Sequence, residues 1–160
     1  MTDAEVLVGA LRERGWTLGV AESLTGGAVA SEIVSVPGAS AGLRGGVVAY
    51  ATPLKHTLLG VDAALLAEHG PVHPDVAAQM AEGIRLAVAV DGRAADVGIA
   101  TTGIAGPDSP DGQPVGTVHI GVATPQGVRS IPHLFSGTRA EIRRQARDAA
   151  IAAALQAVRE

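Results

Sequence analysis

The chain contains no cysteine, which excludes disulfides, thiolate metal sites and cysteine nucleophiles. Aromatic residues are almost missing, with one Trp, one Tyr and one Phe among 160 residues. Hydrophobic residues nevertheless make up 47 %, so the core has to be built from Ala, Val, Leu and Ile. There is no basic block and the formal charge is −4, which leaves little electrostatic reason to bind nucleic acid. No apolar run reaches the roughly 20 residues that span a bilayer. The opening stretch, MTDAEVLVGALRERG, is charged and lacks the apolar centre of a signal peptide. The five histidines, at 56, 69, 73, 119 and 133, show no metal-ligand spacing such as H-E-x-x-H. No G-x-G-x-x-G or G-K-[ST] follows a strand. A single soluble, cytoplasmic domain over residues 1–160 is expected, without metal, membrane or nucleic-acid partner.

What is present alternates between helix and strand signals. Thr2-Asp3-Ala4-Glu5 reads as a capping box leading a helix to about Arg14. Thr17–Ala21 reads as a buried strand, Gly27–Val36 as a helix closed by Pro37-Gly38, and Gly46–Ala51 as a second strand. Thr52-Pro53 suits the start of a short helix to Leu59. Further helices are expected at about Asp62–His69 and Pro74–Val90, and a third strand at Asp96–Thr101. Val115–Thr124 and Val128–Phe135, joined by PQG, read as a hairpin. Thr138 and Glu141 form a second capping box and open a last helix to about Val158. This order predicts a three-layer α/β/α sandwich whose mixed, mostly parallel sheet carries a late antiparallel hairpin. The Ala-rich last helix, with few aromatics, suits a helix-packed homo-oligomer.

Open α/β sheets bind ligands beyond the carboxyl ends of their strands, and three such ends here are polar. The first carries Glu22-Ser23-Leu24-Thr25-Gly26-Gly27, the second Tyr50 with Lys55 shortly after, and the third Thr101-Thr102-Gly103 running on to Pro107. Two readings of the first turn compete. It cradles an anion with its N–H groups, or Ser23 is a nucleophile whose oxyanion those groups stabilise. A serine needs a base. Lys55 can serve if burial or nearby positive charge lowers its pKa, with Tyr50 relaying the proton. His73, beside Pro74, reads as structural, and Pro107–Gly112, PDSPDG, reads as a surface loop lacking EF-hand spacing.

The ordered series AESLTGG, GGVVAY with Lys55, LLGV, HGPV, MAEG, TTGIAGP, PVGTV and FSGTR…RRQA, from residue 21 to 146, resembles the CinA C-terminal-domain family. Its enzymatic members are nicotinamide-nucleotide amidases. The resemblance implies hydrolysis of the carboxamide of nicotinamide mononucleotide to nicotinate mononucleotide and ammonia, with no metal or organic cofactor. Residue by residue, it carries the catalytic roles to Ser23, Tyr50 and Lys55. Two alternatives stay open: a non-catalytic nucleotide-binding or regulatory module of the same family, and a hydrolase of another small amide on the same site. Three positions depart from the family pattern: Ala51-Thr52-Pro53-Leu54 lacks the carboxylate common between the tyrosine and lysine, His73 replaces a serine, and Thr138 replaces an acidic or amide residue. On this reading Thr25, Gly26 and Gly27 offer oxyanion donors. Thr102 and Gly103, or Arg139 and Arg143, hold the substrate phosphate.

Overall fold

A computed structural model describes residues 1–160. Its elements run α1 (Asp3–Arg14), β1 (Leu18–Glu22), α2 (Ala28–Val34), a 3₁₀ turn at Ala39–Ala41, β2 (Leu43–Val48), α3 (Thr52–Leu59), α4 (Ala63–His69), α5 (Pro74–Ala87), β3 (Val97–Gly103), β4 (Thr117–Thr124), β5 (Gly127–Leu134) and α6 (Arg139–Arg159). The order expected from sequence is observed, and both capping boxes form at Thr2 and Thr138.

The five strands lie in the order β2-β1-β3-β4-β5. β1 pairs in parallel with β2 and β3, while β4 runs antiparallel to both β3 and β5. Four strands therefore point one way and only β4 is reversed. Helices cover both faces, as the α/β/α expectation requires.

The two faces pack by different means. On one, Leu18, Val20, Val97, Ile99, Val118, Ile120 and Val122 meet α1, α2 and α6. On the other, alternate strand positions are small: Gly19, Ala21, Gly98, Ala100, Gly121 and Ala123. A Cβ at Gly98 would strike the Ala81 carbonyl, and one at Gly121 the Ala77 carbonyl. The α5 backbone thus lies directly on the sheet, which explains how a domain with so few aromatics reaches close packing.

Most boundaries lie within two residues of expectation; β2 and the end of α5 differ by three. β2 covers Leu43–Val48, not Gly46–Ala51, so Tyr50 stands past the strand. The last ladder contact pairs Glu22 with Val48, Ala49 N–H then donates to the Glu22 carbonyl (2.9 Å), and the chain turns into α3. α5 stops at Ala87 because Val90 and Arg93 exchange backbone hydrogen bonds across an Asp91-Gly92 turn.

Candidate active site

Parallel pairing of β1 and β2 brings their carboxyl ends side by side, and this unites residues distant in sequence. Ser23 follows β1, and Lys55 lies on the first turns of α3, just after β2. The Lys55 Nζ stands 2.9 Å from Ser23 Oγ, 2.7 Å from the Ala49 carbonyl and 3.3 Å from the Tyr50 carbonyl. Lys55 is only 1 % exposed and has no carboxylate partner. Burial without a counter-charge disfavours the ammonium and lowers the Lys55 pKa to about 8. Desolvation is the cause; no arginine contributes. A neutral amine has two N–H donors and one lone pair. With the two carbonyls accepting those donors, the lone pair is left for the Ser23 hydroxyl proton.

The glycines of the turn after Ser23 do not form an open anion cradle. The anion at the start of α2 is the protein's own. The buried Glu22 carboxylate accepts from the N–H groups of Gly27 (3.1 Å), Val29 (2.9 Å) and Ala30 (3.0 Å). Gly26 N–H closes on the Ser23 carbonyl at 3.1 Å. Gly26 and Gly27 are therefore not available as oxyanion donors, which corrects the expectation from sequence. Thr25 is fully buried, its hydroxyl 2.8 Å from that of Thr101. The N–H groups of Leu24 and Thr25 have no acceptor within the protein. Leu24, directly after Ser23, lines the cleft, and Thr25 does not. Ser23 N–H itself donates to Thr101 Oγ1 at 3.2 Å, which fixes the backbone of the nucleophile.

Ser23, Lys55, Tyr50 and Arg139 open onto one cleft of about 460 Å³. Its walls are the Pro71-Val72 segment before α5 and the Ile104–Asp111 loop after β3. PDSPDG is thus a wall of the site as well as a surface loop. Tyr50 is 60 % exposed, and its hydroxyl accepts from Arg139 Nη2 (3.4 Å), with no bond to Ser23 or Lys55. Only its main-chain carbonyl is hydrogen-bonded to the lysine, so a proton relay through the phenol does not match this geometry. Arg139 Nη1 donates to the Gly106 carbonyl at 2.6 Å, and the residue stays exposed at the cleft rim.

Thr102 and Gly103 line the cleft but belong to β3, paired with His119 and Val118, and the Thr102 hydroxyl donates to the Pro71 carbonyl at 2.7 Å. The free loop N–H groups come later, at Ala105 and Gly106, which have no acceptor within the protein. Arg143 does not line the cleft. Its Nε donates to the Leu24 carbonyl (2.8 Å) and its Nη2 to the Thr25 carbonyl (3.2 Å), so the phosphate role expected of it does not fit. His73 caps α5, its Nδ1 accepting from Asp75 N–H at 3.1 Å. Sequence reasoning placed Glu22, Leu24 and Thr101 at the strand ends but gave none of them a role. For Glu22 there was a signal: a carboxylate continuing an apolar strand must find partners.

A family model described as the CinA C-terminal domain matches residues 2–158. A CinA-like protein of Frankia casuarinae is 48 % identical over 86 % of this chain, and one of an Anaeromyxobacter strain is 49 % identical over 89 %. The chain spans about a third of the length of these curated relatives (31 % and 34 %). Among solved structures, a competence-damaged protein (CinA) superfamily protein from Klebsiella pneumoniae superposes with a TM-score of 0.89 at 32 % identity, covering 98 % of this chain and 96 % of that one. A competence/damage inducible protein from Agrobacterium tumefaciens gives 0.87 at 31 % identity, covering 100 % and 98 %. The chain belongs to the CinA C-terminal domain family.

Proposed function

We propose that this member of the CinA C-terminal domain family is an amidohydrolase that converts nicotinamide mononucleotide to nicotinate mononucleotide and ammonia through a Ser23–Lys55 pair. The observation that carries the reading is the 2.9 Å contact between a buried, unpaired lysine and a serine hydroxyl at the floor of a cleft of ligand size.

In the first half-reaction Ser23 Oγ attacks the carboxamide carbon while neutral Lys55 takes the hydroxyl proton. The oxyanion is met by the free N–H of Leu24. A well-placed donor of this kind is worth about 2.7–4 kcal/mol. Lys55 then returns the proton to the departing nitrogen, the C–N bond breaks and ammonia leaves. In the second half-reaction water attacks the nicotinoyl ester, Lys55 accepts its proton, and the acid departs as Ser23 recovers its hydrogen. Arg139, exposed at the rim with donors left over from Gly106 and Tyr50, is the residue for the substrate phosphate.

The test is direct. Pure protein incubated with nicotinamide mononucleotide releases ammonia, with EDTA making no difference, and Ser23→Ala lowers the rate by at least about a thousandfold. Ammonia from another small amide but not from the mononucleotide would keep the Ser–Lys chemistry and replace the substrate. No ammonia from any amide would overturn the reading.

A further inference from the structure

Arg143 was expected to bind phosphate, and its surroundings assign it a different task. It lies half-buried on α6, and its guanidinium reaches the turn that follows Ser23. Two adjacent carbonyls, Leu24 and Thr25, accept from it. A planar guanidinium presents several donors in a fixed fork, which an ammonium cannot imitate. Gly26 leaves room for it: the glycine adopts φ +59°, and a Cβ there would stand 3.3 Å from Arg143 Nη2.

The consequence follows from peptide geometry. In a planar trans peptide the N–H points away from the C=O it adjoins. Fixing the Leu24 carbonyl on Arg143 therefore fixes the Thr25 N–H on the far side. Fixing the Thr25 carbonyl does the same for Gly26 N–H, which is held on the Ser23 carbonyl. That bond in turn fixes the peptide to which the Leu24 N–H belongs. The result is a turn whose two unengaged N–H groups directly follow the nucleophile. A cation on the carbonyl side also polarises these peptides, which strengthens their N–H groups as donors.

We propose that Arg143 is a positioning residue for the Ser23 reaction, holding the Leu24–Thr25 carbonyls so that the oxyanion donors after the nucleophile are fixed before substrate arrives. The proposal rests on the Ser–Lys reading of this site, and it is independent of which amide is cleaved.

Two readouts test it in the full chain, for wild type, Arg143→Met and Arg143→Lys. One is steady-state hydrolysis of nicotinamide mononucleotide. The other is the second-order rate at which a fluorophosphonate probe, whose phosphoryl oxygen needs the same donors, labels Ser23. Thermal melts by circular dichroism identify any variant that is unfolded at the assay temperature, and rates are compared only where both proteins are folded. Arg143→Met is expected to lose about 10²-fold in kcat, the scale of one oxyanion donor, with KM little changed, and to label more slowly by a similar factor. Arg143→Lys is expected to recover part of both rates. A raised KM with kcat and labelling unchanged would make Arg143 a substrate anchor and overturn the proposal. If Arg143→Met is unfolded, Arg143→Lys decides alone, and wild-type labelling in that folded variant overturns it. Arg143-dependent labelling in a protein inert toward the mononucleotide would discard the proposed substrate and keep the positioning role. Absence of Ser23 labelling in wild type would overturn both.

Discussion

The Arg139 Nη2 lies 3.4 Å from the phenol oxygen of Tyr50, and it is the phenol's single side-chain partner. The tyrosine, the only one in the chain, therefore faces the exposed cation at the rim and not the Ser–Lys pair. Tyr50→Phe keeps the ring against the cleft and loses one long hydrogen bond, so kcat is expected to stay within about threefold and KM to rise modestly, since a typical bond of this kind contributes about 0.5–1.5 kcal/mol. Tyr50→Ala, which removes the wall, should raise KM further. A hundredfold fall in kcat for Tyr50→Phe would restore the proton-relay role.

The Lys55 pKa of about 8 sets the pH dependence in two measurements. If the neutral amine is the base, kcat/KM rises with pH through about 8 and then levels. Lys55→Arg keeps a cation that stays protonated, and is expected to be nearly inactive at every pH. Stability shifts as well. The folded-state pKa lies below the ordinary lysine value of 10.5, so between the two the unfolded chain binds more protons and stability rises with pH. Below about pH 8 the full cost of the buried ammonium is present, about 3–4 kcal/mol at 1.36 kcal/mol per pH unit of separation. Comparing wild type with Lys55→Met by urea unfolding cancels the pH-independent loss of hydrogen bonds. The wild type should gain on the variant between about pH 8 and 10.5, and a difference that stays flat would mean that Lys55 titrates normally.

How much of this was legible in the sequence follows from which forces act locally. Capping boxes at Thr2 and Thr138 and the hairpin around Gln126 are short-range signals, and each formed as expected. The end of β2 was not readable, because Val47-Val48-Ala49-Tyr50 has strand character throughout. What ends the strand is a tertiary bond, from Ala49 to the carbonyl of Glu22. The start at Leu43 was hidden by Gly45, a poor strand former in isolation that pairs with Gly19 of β1 here. Ser23 and Lys55 could be named because parallel neighbouring strands deliver both to one edge. The destination of Arg143 could not. Arg139 and Arg143 share a helical face in sequence, and only the packing of α6 against the Ser23 turn separates a rim cation from a turn clamp.

Glu22 is expected to be a stability determinant first. Its carboxylate satisfies three N–H groups at the start of α2, and hydrogen bonds to a charged group each contribute about 1.5–3 kcal/mol. Glu22→Ala should cost more than about 2 kcal/mol in chemical unfolding. Glu22→Gln has a single acceptor oxygen and should fall between the two. Because α2 and the nucleophile turn share these bonds, both variants should also slow labelling of Ser23. A stability change below about 0.5 kcal/mol for Glu22→Ala would show that water replaces the carboxylate without loss.

The close approach of α5 to the sheet yields a prediction with opposite signs at two glycines. At Gly121 an added Cβ would run into the Ala77 carbonyl, an atom of helix backbone that cannot swing aside. The helix would have to lift, and such overpacking costs about 1–3 kcal/mol or more. Gly9, in the middle of α1, has nothing within 4 Å of the same added atom. There alanine replaces the residue that loses most entropy in a helix, and should stabilise by about 0.5–1 kcal/mol. Activity should separate the two variants as well. The chain entering α5 forms the Pro71-Val72 wall of the cleft, tied to Thr102 by a 2.7 Å bond, so lifting the helix at Ala77 disturbs that wall. Gly121→Ala should therefore raise KM beyond what its lowered melting temperature explains, measured well below the melt, while Gly9→Ala melts higher with unchanged kinetics. Equal stability of the two variants would mean that α5 has slack against the sheet, and that the small residues on that face answer to something other than close packing.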